Sequence, residues 1–173
     1  MLEVGTAKAS DLKHYASPKD VVEDLQPDYP VYCVRPHAIR PAARTFVEQF
    51  PGHTLYAVKS NPMPHMLQEL HDAGINHFDT ASIAEIELVS HLLPEAHCYF
   101  MHPVKARTAI RDAHQKYGVR HYVIDHEEEI QKISEIIPAS RDIIIVVRLA
   151  LHHEASLYDL SIKFGTSVEG SPR

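Results

Sequence analysis

One lysine at the end of a short β-rich run has a chemistry that is easy to name. Lys59 follows residues 54–58 (TLYAV) and precedes Ser60 and Asn61. A lysine amine can bond to an aldehyde carbon when desolvation or a neighbouring cation lowers its pKa, because only the neutral amine is a nucleophile. Lys59 is therefore the candidate nucleophile of this sequence. The competing interpretation is a surface lysine that ends a strand.

Four further polar residues recur at a constant interval of 23 residues. Asp79, His102, Asp125 and Arg148 each stand at or just past the end of a β-rich run. In a barrel of parallel strands such residues meet at the one rim where active sites are built. The interval predicts a ring of polar side chains at that rim, although strands also end in polar residues where they reach water. For His102, Asp125 and the nearby Lys105 we favour structural roles.

β-rich runs alternate with helix-like stretches along most of the chain. The predicted strands share short, apolar, β-branched or aromatic sequences, and they cover residues 54–58, 76–79, 97–101, 121–125 and 143–149. The predicted helices each precede Gly or Pro, and they cover residues 63–73, 83–93, 104–117 and 127–137. This alternation predicts a parallel α/β fold, which is either a doubly wound sheet or a (β/α)₈ barrel.

The first fifty residues are less regular. Residues 30–34 (PVYCV) predict a strand, residues 38–50 a helix, and residues 18–25 a short helix capped by Ser17.

We divide the chain into an N-terminal segment, residues 1–29, and residues 30–173, the N-terminal part of a barrel. Five of the eight βα units of a barrel are accounted for, and the loop-like residues 165–173 predict no sixth strand. We therefore expect a truncated barrel.

Composition excludes several classes of function. Lys and Arg number 17 against 23 Asp and Glu, so the formal net charge is -6 and nucleic acid is not an expected partner. The longest aliphatic run, residues 143–147, is too short to span a membrane, and we expect a cytoplasmic protein. Cys33 and Cys98 form no CxxC pair, and we expect both to be reduced and partly buried thiols. The 14 histidines lack metal-ligand spacing, so no metal site is predicted.

Five motifs in a fixed order carry a family resemblance. They are YAVKSNP at 56–62, FDTAS at 78–82, HPVK at 102–105, VRL at 147–149 and YDLSIKFG at 158–165. Together they resemble the ornithine/diaminopimelate/arginine decarboxylase family, whose cofactor domain is an alanine-racemase-like (β/α)₈ barrel. The resemblance covers about residues 30–165 and is strongest to ornithine decarboxylases of the bacterial eukaryotic-like type.

The resemblance implies a pyridoxal 5′-phosphate enzyme that converts ornithine to putrescine in polyamine biosynthesis. Lys59 resembles the family lysine that bonds to the cofactor, and Asp79, Glu85 and Arg148 resemble residues around the cofactor. Glu85 has an equally good structural explanation, because an acidic residue in the first turn of a helix is favoured by the helix dipole. The resemblance also implies an amino-acid substrate and, for full-length members, a homodimer.

Several family features do not occur in this sequence. They are a histidine that stacks on the cofactor, a glycine-rich phosphate loop, an acidic partner for the pyridine nitrogen and a C-terminal β domain. We therefore expect this chain alone to be inactive. The alternative is a non-catalytic decarboxylase-like module that binds a family member or its regulator. A third interpretation, a small barrel enzyme such as an alanine racemase, is disfavoured by residues 159–165. The choice among ornithine, lysine, arginine and diaminopimelate stays open.

Overall fold

Five parallel strands form one sheet in the computed structural model, which describes residues 13–138, 142–150, 163–167 and 170. The strands are β1 (Leu55–Ala57), β2 (His77–Thr80), β3 (His97–Phe100), β4 (His121–Ile124) and β5 (Ile144–Val147). Each pairs with the next strand in sequence, so the order is β1-β2-β3-β4-β5. A doubly wound sheet reverses direction part-way, whereas a barrel is wound in one direction. The fold is therefore part of a (β/α)₈ barrel, as predicted.

Six helices accompany the sheet. They are α1 (Pro18–Leu25), α2 (Pro36–Gln49), α3 (Pro64–Asp72), α4 (Ile83–Leu92), α5 (Arg107–Gln115) and α6 (Glu127–Ile136). All six were predicted, and α1 begins as expected, with the Ser17 hydroxyl accepting the Asp20 N–H. None of these helices is long and apolar enough to cross a membrane.

The strand predicted over residues 30–34 is wrong. These residues form a loop before α2 and pair with no strand in the described part of the chain. Tyr32 is 86% exposed, and residues 32–35 line an apolar cleft between α2 and β1. An apolar run becomes a strand only where a neighbouring strand supplies hydrogen-bond partners and cross-strand contacts. Here the cleft separates the run from β1.

The C-terminal loop contains one residue that pairs with the chain just after β5. Thr166 forms a single parallel bridge with Leu149, just beyond β5. The Thr166 N–H donates to the Arg148 carbonyl at 2.9 Å, and the Ala150 N–H donates to the Thr166 carbonyl at 2.9 Å. One bridge is not a strand. It nevertheless places Thr166 beside β5, the position that the strand order assigns to a sixth strand.

The helix-facing side of the sheet forms the core. Successive residues of a strand point to opposite faces, so alternate residues share an environment. Side chains with at most 2% exposure on this side are Phe78, Thr80, Phe100, Tyr122 and Ile124. All of them except Thr80 belong to one apolar cluster with Leu67, Ile86, Ile110 and Ile133 of the surrounding helices.

The two cysteines occupy opposite environments. Cys98 lies in the core, where burial raises the pKa of its thiol to about 11. The partial burial predicted for Cys33 is wrong, because it lies in the loop before α2, where it is exposed and lines the cleft between α2 and β1. Both thiols are free.

A row of aromatic rings covers the amino-terminal half of the other face of the sheet. We call His53, His77, His97, Tyr99 and His121 the histidine row. Ring centroids are 4.1 Å apart for His53 and His77, 5.1 Å for His77 and His97, and 4.2 Å for Tyr99 and His121. The Tyr99 hydroxyl lies 3.0 Å from His77 Nδ1. The strand register, in which His77 is beside His97 and Tyr99 beside His121, produces this arrangement.

Acid is expected to weaken the fold through the histidine row. Burial first, and neighbouring imidazoles second, lower the pKa of His77 and of His121 below the ordinary value of 6.5. A histidine with a depressed folded-state pKa contributes its full stability above the unfolded-state pKa. That contribution is lost as the pH falls below 6.5 towards the folded-state value. We therefore expect the urea midpoint of unfolding to decrease as the pH is lowered from about 7.5 to about 5.5.

The double variant His77→Gln/His121→Gln tests this expectation. Its urea midpoint should fall less over the same pH range than that of the parent chain, because two of the titrating groups are gone. His37→Gln is the matched control, since the His37 side chain is exposed in the first turn of α2. Equal falls in all three proteins would show that the histidine row does not cause the pH dependence.

Candidate functional site

The turn that carries Lys59 is fixed by local hydrogen bonds at the carboxyl end of β1. A 3₁₀ turn, Val58–Ser60, follows the strand; Val58 is fully buried and Lys59 is exposed. The Asn61 N–H donates to the Val58 carbonyl at 3.1 Å, and Asn61 Oδ1 accepts the Met63 N–H at 3.1 Å. The buried valine anchors the turn in the core, so the next residue is held at the edge of the sheet with its amine accessible.

Asp79 is coupled to both predicted cations. It lies in β2 in register with Ala57 of β1, and it is half-buried. Burial raises the pKa of its carboxyl group, while the positive charges of Lys59 and Arg148 act in the opposite direction. Arg148 follows directly after β5. The structure thus brings Lys59, Asp79 and Arg148 into one electrostatic group at the carboxyl edge of the sheet.

Glu85 is engaged at the beginning of α4. The Ser82 hydroxyl accepts the Glu85 N–H at 3.3 Å, and Glu85 Oε2 accepts the Ala81 N–H at 2.7 Å. This reciprocal arrangement is close to a capping box. The Glu85 carboxylate therefore satisfies a backbone donor at the beginning of α4, which agrees with a structural role for Glu85 at the helix terminus. The hydrogen bonds of the described residues do not join Glu85 to Lys59, Asp79 or Arg148.

Residues 164–166, which we call the rim segment, lie against the chain that leaves β4 and β5. The Gly165 N–H donates to Asp125 Oδ2 at 2.9 Å. Gly165 has a φ of 114°, and a Cβ atom there would lie 2.7 Å from the Ala150 nitrogen. A side chain is thus excluded both by backbone conformation and by close contact.

The ring of Phe164 lies between two of the residues spaced at 23-residue intervals. Its centroid is 5.2 Å from that of His102, with the rings edge to face, and the Arg148 guanidinium lies 5.7 Å from it. His102, Asp125 and Arg148 therefore all contact the rim segment, and they are three of the four polar residues that recur at the 23-residue interval. The interval correctly predicted that they gather at one edge of the sheet.

Lys105 and Glu129 form a buried ion pair that no local sequence pattern indicates. Lys105 Nζ lies 3.1 Å from Glu129 Oε1, and the two side chains are 0% and 6% exposed. The ammonium also donates to the carbonyl groups of His102, Pro103 and Val123 at 3.0, 3.2 and 2.6 Å. Burial lowers the pKa of Lys105, and the charge of Glu129 opposes that effect. The pair joins the loop after β3 to β4 and α6, which confirms a structural role for Lys105.

No metal-binding group was found among the described residues. Within them, the structure contains no cluster of three or more His, Cys, Asp or Glu side chains arranged to bind an ion.

Comparison with known families matches most of the chain to one family model. Residues 37–172 match the model of the pyridoxal-dependent decarboxylases, pyridoxal binding domain.

Individual proteins agree with this match. The lysine/ornithine decarboxylase of Selenomonas ruminantium is 35% identical over 115 residues, which are 66% of this chain and 28% of that protein. Human antizyme inhibitor 2 is 34% identical over 115 residues, 66% of this chain and 24% of that protein. The crystal structure of a Vibrio vulnificus lysine/ornithine decarboxylase complexed with putrescine superposes with a TM-score of 0.69 at 30% identity, over 87% of this chain and 38% of that chain. The chain spans about a quarter of the length of the curated relatives it matches.

Proposed function

This chain belongs to the family of pyridoxal-dependent decarboxylases, and from that premise we propose that its carboxyl edge is part of a site that decarboxylates ornithine to putrescine. The observation that carries the proposal is the grouping of Lys59, Asp79 and Arg148 at the edge where barrel enzymes build their sites. The cofactor of the family is pyridoxal phosphate.

The donor set at this edge fits part of the cofactor. Lys59 presents an accessible primary amine at a strand end, which suits covalent attachment of an aldehyde. Asp79 and Arg148 offer a carboxylate and a guanidinium for hydrogen bonds to polar groups of the cofactor or substrate. For Glu85 we propose a supporting role, since it holds the turn between β2 and α4. When bound, pyridoxal phosphate supplies the ring that takes up the electron pair released as carbon dioxide departs.

The charge of Lys59 affects how readily Asp79 takes up a proton. The charge of Lys59 lowers the pKa of Asp79, against the effect of burial. A change of charge at the Lys59 nitrogen would therefore change the proton affinity of Asp79. The charge of Arg148 also lowers the pKa of Asp79 and so favours its ionised form.

Ornithine is supported as the substrate by the names of the relatives. Both the Selenomonas and the Vibrio proteins are lysine/ornithine decarboxylases, and the Vibrio structure contains putrescine. A cytosolic homodimer is part of the same proposal. The free thiols of Cys33 and Cys98 agree with a reducing compartment.

Covalent labelling tests the proposed role of Lys59. The purified chain is mixed with pyridoxal phosphate, reduced with borohydride and mapped by peptide mass spectrometry. We expect one dominant adduct on Lys59 and its complete loss in Lys59→Arg, because the guanidinium is not a nucleophile at neutral pH. Lys116→Arg removes an exposed lysine just after α5 and should leave the adduct unchanged. A label spread evenly over exposed lysines in all three proteins would sink the assignment.

A non-catalytic binding module is the second candidate function. The similarity to human antizyme inhibitor 2, a protein named as an inhibitor and not as a decarboxylase, favours it. Labelling at Lys59 with release of carbon dioxide from ornithine establishes a minimal enzyme. Labelling without turnover supports a cofactor site that needs further parts of the barrel. Absence of selective labelling at Lys59 would favour the non-catalytic binding module over the enzyme.

A further inference from the structure

We propose that Asp125 is a positioning residue, which holds the rim segment across the end of β5 and thereby fixes Arg148 at the carboxyl edge. The inference rests on the proposed function, because Arg148 belongs to the proposed site. In this arrangement Phe164 contacts Arg148, and His102 supports the Phe164 ring. Asp125 therefore acts on the site through Gly165 and Arg148 and does not need to touch the cofactor.

The rim segment holds Arg148 at two points. The Arg148 carbonyl accepts the Thr166 N–H at 2.9 Å, which fixes its backbone. Its guanidinium lies 5.7 Å from the centre of the Phe164 ring, a distance typical of a cation–π contact. Both contacts come from residues that flank Gly165. The position of Gly165 therefore sets the position of both contacts.

Asp125 determines where Gly165 lies. Its carboxylate accepts the Gly165 N–H across 40 residues of sequence, and such a bond to a charged acceptor is stronger than one between neutral groups. On the opposite side, the backbone at Ala150 is so close that a Cβ atom on Gly165 would lie within 2.7 Å of its nitrogen. The segment is thus held between a carboxylate and the chain after β5, with His102 supporting the Phe164 ring.

Asp79 provides a readout of the position of Arg148. The charge of Arg148 lowers the pKa of Asp79, and Coulomb interactions weaken with distance. Lys59 is the other charged group that acts on this carboxyl group, and it lies on a separate strand end. Displacing Arg148 should therefore raise the pKa of Asp79 without any change at Lys59.

Two measurements on the purified 173-residue chain test the inference. The first is hydrogen exchange at the Gly165 and Thr166 amides, and the second is an NMR titration of the Asp79 carboxyl carbon. In Asp125→Ala we expect exchange at these two amides to accelerate about tenfold, because one hydrogen bond to a charged group is lost. We also expect the pKa of Asp79 to rise. Asp125→Asn keeps an oxygen acceptor and should restore both values towards those of the parent. Asp112→Ala, which removes a carboxylate that pairs with Lys116, should change neither.

Unchanged exchange and an unchanged Asp79 pKa in Asp125→Ala would overturn the inference. If that variant does not fold, Phe164→Leu removes the ring beside Arg148 but keeps an apolar side chain, and the same rise in the Asp79 pKa is expected. A Phe164→Leu chain with the parent value would also overturn it. Neither readout needs the cofactor, so failure of the Lys59 labelling and failure of this inference are separate results.

Discussion

Replacing Glu129 with alanine is expected to lower the free energy of unfolding by about 3–5 kcal/mol, because it leaves the Lys105 ammonium buried without its ionic partner. The main-chain N–H of Lys105 also loses an acceptor, since it donates to the same Glu129 oxygen at 3.1 Å. A small domain is stable by only about 5–15 kcal/mol, so the loss is a large share of the total. Urea denaturation followed by circular dichroism measures it directly.

Two further variants separate the buried pair from helix effects. Glu128→Ala alters the neighbouring residue of α6, whose side chain is 83% exposed, and should change stability by about 0.5 kcal/mol or less. Lys105→Met/Glu129→Leu removes the buried ammonium together with the carboxylate and should cost less than Glu129→Ala alone, since no fully buried ion is left unpaired. Lys132 also pairs with Glu129, at 2.5 Å, but its side chain is 20% exposed and water can solvate it. Equal stability of Glu129→Ala and Glu128→Ala would contradict the prediction.

Replacing Phe78 with alanine is expected to cost about 3–5 kcal/mol, because the side chain is fully buried and the truncation opens a cavity beneath β2. The ring packs against Tyr56 of β1, with centroids 6.5 Å apart and the rings edge to face. The substitution therefore weakens the contact between the two strands that carry Lys59 and Asp79. Thermal or urea unfolding gives the magnitude.

The exposed Phe46 of α2 supplies the matched control. Its side chain is 63% exposed, so Phe46→Ala should cost much less than Phe78→Ala. Phe78→Leu retains most of the apolar volume and should fall between the parent and Phe78→Ala. A cost for Phe46→Ala as large as that for Phe78→Ala would refute the assignment of Phe78 to the core.

Local patterns predicted the elements well because periodicity and helix-ending residues act over a few positions. All five strands, and the four helices that connect consecutive strands, lie near their predicted bounds. Residues 30–34 show the limit of such patterns, since an apolar run cannot indicate whether a neighbouring strand is available. The choice between a doubly wound sheet and a barrel also needed the strand order, which is a property of the whole chain.

The grouping of the proposed site residues was predictable because they lie at or just past strand ends. Asp79 lies in β2, Lys59 in the turn after β1 and Arg148 directly after β5, so the parallel sheet accounts for their electrostatic grouping. The bond between Asp125 and Gly165 spans 40 residues and depends on a left-handed glycine, so no local pattern indicates it. The pairing of Lys105 with Glu129 was not predicted because these residue types are usually exposed, and only tertiary structure shows that they are paired in the core.

The contrast between the two cysteines makes this chain a ready substrate for selective chemical labelling. A thiol with a pKa of about 11 is ionised to about one part in ten thousand at pH 7, so Cys98 should resist alkylation even apart from its burial. Cys33 is exposed, and a maleimide fluorophore should therefore attach there alone without any substitution. Because Cys33 lines the cleft between α2 and β1, the emission of that fluorophore would report on any molecule that fills the cleft.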